Sequence, residues 1–212
     1  MSPFGQNMVP ADPLKAQGFR TQRAELPEDL WQPLYDRANF PAAGTTNTVS
    51  FFSVARGQTA TLITAGAAAL KVKTNRDTNM ENANVVPTKM FKFIGISLGF
   101  CHAPEGNANN PIDRDILRTG AYFRFRIVDK DLLFLPLIAI PEVNPFVIAT
   151  TTASLGTAGG GGQNVPMYKL PIAITLNPYE NFTVEINTDG VVVLSHTLDI
   201  FVILQGYMRR PT

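Results

Sequence analysis

Apolar and polar residues alternate with a period of two over much of the chain after residue 45. The clearest alternation follows Gly120, where Tyr122, Arg124 and Arg126 are separated by apolar residues. A period of two is typical of a β-strand that has one buried face and one solvated face. The turn sequence at 129–131 and the apolar run at 132–140 complete a predicted hairpin. Pro136 within that run predicts an edge strand or a bulge.

Further apolar and β-branched runs, bounded by turn-forming residues, predict more strands. They cover residues 48–54, 59–64, 89–100, 165–176, 182–187, 190–195 and 198–208. The polar or glycine-rich segments 75–84, 102–115 and 149–163 are predicted as loops. Because both faces of 198–208 are apolar, we expect this strand to be central or covered on its second side. About eight to ten short strands with hardly any helix predict an all-β fold, either a sandwich or a barrel of antiparallel strands. Of these we favour an antiparallel sandwich of about eight strands.

Prolines punctuate the first 44 residues, which we predict to form an extended N-terminal arm. The remaining residues, 45–212, are predicted to form a single domain. One short helix over residues 28–37 would bring Trp31, Leu34 and Tyr35 onto one face. Two interpretations of the arm stay open, since it could fold over its own domain or dock on a neighbouring subunit.

Composition and charge narrow the class of partner. Charged residues are 17% of the chain, against about 25% in an ordinary globular protein. A low charged fraction leaves a large share of the surface uncharged. Uncharged surfaces are common where a protein packs against neighbours, although a plain soluble β-domain is the alternative. The net charge of +1 provides no overall field to attract nucleic acid. We therefore expect no specific nucleic-acid partner.

Few residues are candidates for catalysis or metal binding. Cys101 is the one cysteine, and its neighbour His102 would point to the opposite face of a strand, which disfavours a metal site or a Cys–His nucleophile. Asp113 and Asp115 fall in a predicted loop and suit surface ion pairs better than a calcium site. His196 is expected to be structural or exposed. We predict no catalytic residue, no metal ligand and no cofactor, and hence a protein that is not an enzyme.

The chain start lacks the charged and apolar stretches of a signal peptide, and no window is apolar enough for a transmembrane segment. A reducing cytoplasm is therefore the expected compartment, with export only as part of an assembled particle.

Two C-terminal segments carry a family resemblance. They are ITLNPYENFTVEINTDG at 174–190 and LDIFVILQGYMRRP at 198–211. The first joins a proline-acid turn to an alternating strand, and in the second an apolar strand runs into Gly206 and a closing Arg-Pro. Together they resemble jelly-roll structural proteins of bacteriophage virions, from the capsid or its decoration. This resemblance implies a single jelly roll that assembles into a particle in the host cytoplasm, with no catalytic residues to transfer.

The leading hypothesis is therefore a virion protein that binds copies of itself, as a trimer, pentamer or hexamer, and other virion proteins. Candidate subunit contacts come from the arm, the alternating strand and the apolar run, and they are Trp31, Leu34, Tyr35, Tyr122, Arg124, Arg126, Leu133 and Leu135. One alternative is a receptor- or glycan-binding module of the same fold, with Tyr122 and Tyr179 as stacking residues. Another is a cupin-type enzyme, which the wide separation of the two histidines disfavours.

Overall fold

The computed structural model describes residues 29–42, 48–64, 67–86, 88–101, 110–143 and 166–209. These residues form eleven strands, one α-helix and one 3-10 turn. The strands are β1 (Asp29–Trp31), β2 (Leu34–Phe40), β3 (Thr48–Phe51), β4 (Thr59–Thr64), β5 (Ala67–Val72), β6 (Met90–Cys101), β7 (Ala121–Ile127), β8 (Lys130–Pro136), β9 (Tyr168–Leu176), β10 (Phe182–Thr188) and β11 (Leu198–Arg209). Helix α1 (Asn110–Gly120) precedes β7, and the 3-10 turn (Leu137–Ala139) follows β8. The predicted all-β class with antiparallel pairing is confirmed.

Sheet A is built around the last strand. It has the order β9-β6-β11, and both β2 and β1 pair with the other edge of β11. Leu34 lies opposite Leu204, and farther along the same edge Asp29 lies opposite Arg209. Both faces of β11 are mostly buried, because one faces the core and the other is partly covered. The prediction of a central or covered last strand is confirmed.

Sheet B has the order β3-β10-β7-β8 and packs its apolar face on sheet A. Phe125 of β7 and Phe182 of β10 are fully buried between the sheets. The ring of Phe93, from β6 of sheet A, lies 5.2 Å from the ring of Phe125. This core of interdigitated aromatic and aliphatic side chains is what two facing sheets with alternating strands produce.

The predicted hairpin is confirmed as β7–β8, but its second strand ends at Pro136 rather than at residue 140, because Leu137–Ala139 form the 3-10 turn. Ile127 lies opposite Lys130, so the turn falls at 128–129, one position earlier than predicted. Strand β8 is the edge of sheet B, and Pro136 is its last residue. Proline is tolerated there because an edge strand has backbone groups that need no partner.

Strands β4 and β5 form a separate two-stranded sheet C. This hairpin lies beside β2 and β11 of sheet A. Leu62 and Ile63 of β4 are buried, whereas five of the six β5 residues are exposed. The hairpin therefore covers part of the sandwich with one strand and presents the other strand to solvent.

The predicted helix over residues 28–37 is wrong, since β1 and β2 occupy this segment. Strand β2 satisfies its backbone by pairing with β11, and that long-range contact outweighs the helical spacing of Trp31, Leu34 and Tyr35. Part of the segment predicted as an arm thus belongs to sheet A. Residues 1–28 lie outside the described residues, and the division of the chain at residue 44 stays a prediction.

Two other element predictions need correction. Residues 110–115 are not loop but the first turns of α1, where Pro111 and Asp113 suit the start of a helix. Residues 190–195 are not a strand, because they make no ladder in the described part of the chain. The loop predicted at 149–163 lies outside the described residues.

Candidate assembly surface and its supports

Tyr122, Arg124 and Arg126 share the outer face of sheet B, the face turned away from the core. All three are half-buried, while the intervening Phe123 and Phe125 are fully buried. The alternation seen in the sequence thus fixes which side chains face outward. These three residues, with Asp131 and Phe134 of β8 and Glu185 of β10, form the sheet B surface.

Acidic neighbours neutralise the two arginines of the sheet B surface. Arg124 donates two hydrogen bonds to Asp131, of 2.7 and 2.8 Å. Arg126 donates one to Glu185 at 2.8 Å. The hydrogen bonds from Arg124 lower the pKa of Asp131 below its ordinary value, so the pair stays ionised at neutral pH. Two cations facing two carboxylates leave no positive patch for a polyanion such as nucleic acid.

An aromatic pair lies next to these ion pairs. The ring centroids of Tyr122 and Phe134 are 4.3 Å apart, and the Phe134 side chain is 61% exposed. Leu132, two residues earlier on the same edge strand, is also exposed. Exposed aromatic and aliphatic side chains beside neutralised charges are typical of a surface that packs against another protein.

The other two candidates from this hairpin, Leu133 and Leu135, face the opposite way. They lie across from Phe125 and Phe123 and pack against the core. The side chains that β8 offers to a neighbour are therefore Leu132 and Phe134. The sequence could have indicated this, because residues that pair with the inward phenylalanines of β7 must themselves point inward.

Trp31, Leu34 and Tyr35 are dispersed rather than gathered on one face. Trp31 is 49% exposed and meets Tyr207 edge to face, with ring centroids 5.0 Å apart. Leu34 is buried in the core. The Tyr35 hydroxyl donates to the backbone carbonyl of Asn75. Of these three, Trp31 is the one that presents a large apolar surface to solvent.

A buried polar network joins sheet A to sheet C, and the sequence patterns did not predict it. At its centre is Asp199 of β11, which has no solvent exposure. Its carboxylate accepts hydrogen bonds from Arg37 Nε at 2.7 Å, from Asn39 at 2.6 Å and from the backbone N–H of Ile63 at 2.8 Å. Asp199 thus joins β11, β2 and β4 at one point.

The network continues through Arg37 to Asp77, which follows β5. Arg37 lies 3.1 Å from the Asp77 carboxylate, and Lys71 lies 2.8 Å from it. Burial alone would raise the pKa of Asp77, but hydrogen bonds from Lys71 and Thr74 outweigh it and lower the pKa. Asp77 therefore remains a carboxylate that ties β5 to β2.

A second ion pair lies deeper in the same region. Lys73 Nζ lies 2.6 Å from Asp36, and both side chains are almost fully buried. The other oxygen of Asp36 accepts the backbone N–H of Phe52. Burial raises the pKa of Asp36, against the opposing effect of Lys73. Each buried carboxylate in this region thus has a cation as partner. The network holds the hairpin of sheet C in place against sheet A.

Asp113 joins α1 to the segment before β11. This buried carboxylate accepts the backbone N–H groups of Ser195 at 2.7 Å and His196 at 2.9 Å. The His196 ring nitrogen Nδ1 lies 3.3 Å from the same carboxylate. Asp113 thus acts as a structural clamp rather than as a solvated loop residue.

A cleft of about 340 Å³ lies between β2, β3 and β4. Its charged lining residues, Arg37 and Lys73, are already bound to Asp199, Asp77 and Asp36. A ligand would have to displace those carboxylates to use either cation. The cleft therefore offers little chemistry of its own.

Within the described residues, no group of three or more histidine, cysteine or carboxylate side chains is arranged to hold a metal ion. In the same part of the chain, no helix is long and apolar enough to span a membrane. Comparison with protein-family models and with curated proteins finds no match for this chain.

Proposed function

We propose that this protein is a non-enzymatic structural subunit that assembles with copies of itself, as a jelly-roll component of a bacteriophage virion. The observation that carries the self-assembly proposal is the sheet B surface. Its arginines are neutralised by its own carboxylates, and the Phe134 ring of its aromatic pair is exposed. Such a surface favours a neutral, partly apolar protein partner over a polyanion or a small polar ligand.

Strand pairing supports the jelly-roll part of the proposal. Apart from β1 and the sheet C hairpin, eight strands remain, and they pair as β2 with β11, β3 with β10, β6 with β9 and β7 with β8. Numbered from one to eight, each pair adds to nine, which is the pairing of one long ribbon wound into two sheets. An eight-stranded, two-sheet antiparallel arrangement is typical of jelly rolls, which include viral capsid domains.

The virion assignment rests on the resemblance of residues 174–190 and 198–211 to phage structural proteins. Both segments contribute to the paired strands of the sandwich, through β9, β10 and β11. Since a fold alone does not decide function, the assignment needs a direct test of assembly.

The glycan-binding alternative is weakened by the separation of its two candidate stacking residues. Tyr122 is the second residue of β7, whereas Tyr179 lies in the turn before β10, near the far end of β7 where Ile127 pairs with Phe182. Five strand residues span about 17 Å. Tyr122 and Tyr179 therefore lie too far apart to stack on one sugar ring.

The test is size-exclusion chromatography with light scattering on the full chain over a range of concentrations. We expect a discrete trimer, pentamer or hexamer, or larger shells. Phe134→Lys should weaken the association at least tenfold, because it puts a charge into the apolar part of the contact. The control is Tyr179→Lys, which alters an aromatic side chain of similar exposure, 67%, outside this surface. A strict monomer at high concentration would overturn the proposal.

A further inference from the structure

Strand β5 is an edge strand of sheet C in the part of the chain that the structure describes. Within the described residues it pairs with β4 and with no other strand. Its outer side therefore presents backbone N–H and C=O groups that only an added strand or water can satisfy. Unprotected edges of this kind are templates for pairing with another chain.

The neighbouring backbone hydrogen bonds define which β5 residues offer these groups. Lys73 donates its N–H to Gln58 and accepts from the N–H of Gly57, so its backbone faces β4. Backbone direction alternates along a strand of an antiparallel pair. The backbone groups of Ala68, Leu70 and Val72 therefore point outward.

The side chains of β5 do not protect this edge. Leu70 is 78% exposed and Val72 is 52% exposed, and the three alanines of the strand are exposed as well. The one charged residue is Lys71, whose ammonium group is bound to Asp77. Natural edge strands usually carry a free lysine, a proline or a bulge that discourages pairing, and β5 has none of these.

We infer that β5 is an assembly contact that pairs antiparallel with β5 of a second copy of this chain, centred on Leu70. This inference rests on the proposed function and names a two-fold contact, which joins one trimer or pentamer to another or builds a hexamer from two trimers. Outward-facing backbone groups must oppose one another, so Leu70 lies opposite Leu70 of the second copy and Ala68 lies opposite its Val72. The two strands form about six hydrogen bonds, and sheet C becomes a continuous four-stranded sheet.

Charge and shape favour a second copy as the occupant. In this register Lys71 lies opposite Ala69 of the second copy, so no like charges face each other. The pairs formed by Leu70, Ala68 and Val72 are all apolar, which stabilises a cross-strand contact. Pairing about a two-fold axis is also closed, because each edge satisfies the other and leaves none for a third chain.

The buried network preorganises this edge. Asp199 accepts the backbone N–H of Ile63 in β4, and Asp77 binds Lys71 in β5. Both carboxylates have no solvent exposure. Because the hairpin is already held against sheet A, pairing costs less conformational entropy than ordering a free hairpin would.

Cross-linking tests the register directly. Leu70→Cys is made in the full chain together with Cys101→Ser, and the protein is oxidised. Opposed residues of a hydrogen-bonded pair have Cα atoms about 5.5 Å apart, within the range that a disulfide bridges. We expect most chains to become disulfide-linked dimers. Ile172→Cys in the same background is the control, since Ile172 of β9 is equally exposed, at 80%, and should give little dimer.

A proline variant tests whether pairing contributes to assembly. Leu70→Pro removes an outward N–H and leaves the hydrogen bonds to β4 in place, so the hairpin should still fold. We expect an association at least tenfold weaker than that of the wild type, with an unchanged circular dichroism spectrum.

The outcomes separate this inference from the proposed function. An oligomeric wild type whose Leu70→Cys variant forms no dimer, or whose size is unchanged by Leu70→Pro, overturns the β5 contact and leaves self-assembly standing. A strictly monomeric wild type overturns both.

Discussion

Removing one partner of the buried Asp36–Lys73 pair should destabilise the fold far more than removing both. The two side chains are almost fully buried, with Lys73 Nζ 2.6 Å from Asp36. Lys73→Met leaves the Asp36 carboxylate without its cation, and Asp36→Asn leaves the Lys73 ammonium without its anion. An uncompensated buried charge costs about 3–5 kcal/mol.

The double variant removes both charges at once. The amide oxygen introduced by Asp36→Asn can still accept the backbone N–H of Phe52, which Asp36 accepts at 2.6 Å in the wild type. The NH2 group of the introduced amide then faces the methionine that replaces Lys73, and a buried donor without a partner costs about 1–3 kcal/mol. We therefore expect the double variant to lie within about 3 kcal/mol of the wild type and above either single variant, because no buried charge is left uncompensated.

Urea unfolding of the wild type, both single variants and the double variant gives the coupling energy of the pair. Arg56→Met is the control, because Arg56 and Glu81 form an exposed ion pair that should contribute less than about 1 kcal/mol. If the two single losses simply add in the double variant, the two side chains do not act as a pair and the reasoning is refuted.

The cost of Lys73→Met should also depend on pH. Burial raises the pKa of Asp36, and loss of Lys73 removes an opposing effect. A carboxyl whose folded pKa is raised binds more protons in the folded state, so the variant should gain relative stability as the pH falls towards the unfolded value of about 3.9. The gain cannot exceed about 1.4 kcal/mol per pH unit for one group. A penalty for Lys73→Met that is constant between pH 7 and 4.5 would contradict this.

Three further predictions concern other parts of the molecule. The pKa of Asp77 is lower in the folded state than in the unfolded state, so this group stabilises the fold at pH values above its unfolded pKa, and the stabilisation is lost as the pH falls through its folded pKa. Asp77→Asn should therefore flatten the acid side of a curve of unfolding free energy against pH, whereas Asp115→Asn on the surface should not. Asp113→Ala removes the acceptor of two backbone N–H groups and should cost about 2–4 kcal/mol, with faster amide exchange at His196 as the specific signature. Gly206→Ala would push a methyl group into the carbonyl oxygen of Lys92 and the ring of Phe91 and should cost about 1–3 kcal/mol in thermal unfolding; an unchanged melting temperature would contradict it.

The sequence is a good guide where structure is local. The β7–β8 hairpin, the strands of β10 and β11 and the outward set Tyr122, Arg124 and Arg126 follow from a period of two, because alternation in a strand depends only on neighbouring residues. The central position of β11 follows equally well from its two apolar faces.

Sequence patterns fail where distant segments decide the outcome. Strand β2 forms because β11 is available to pair with it, and Asp36 is tolerated inside because Lys73 reaches it. A hint did exist at Asp199, a lone acid in an otherwise apolar strand, which signals a buried charge that must have a partner. That partner, Arg37, is 162 positions away and could not be identified from spacing.

The central position of the last strand has a consequence for the order of folding during synthesis. Strand β2 emerges from the ribosome before all the described strands except β1, yet its partner β11 is the last of the described strands to appear. Hairpins such as β4–β5 and β7–β8 can close as soon as they emerge, whereas sheet A must wait for residues 198–209. Folds dominated by such long-range pairing form slowly. During translation the local hairpins therefore close well before the sandwich is complete. A chain truncated before β11 keeps these hairpins but lacks the sheet that holds them together.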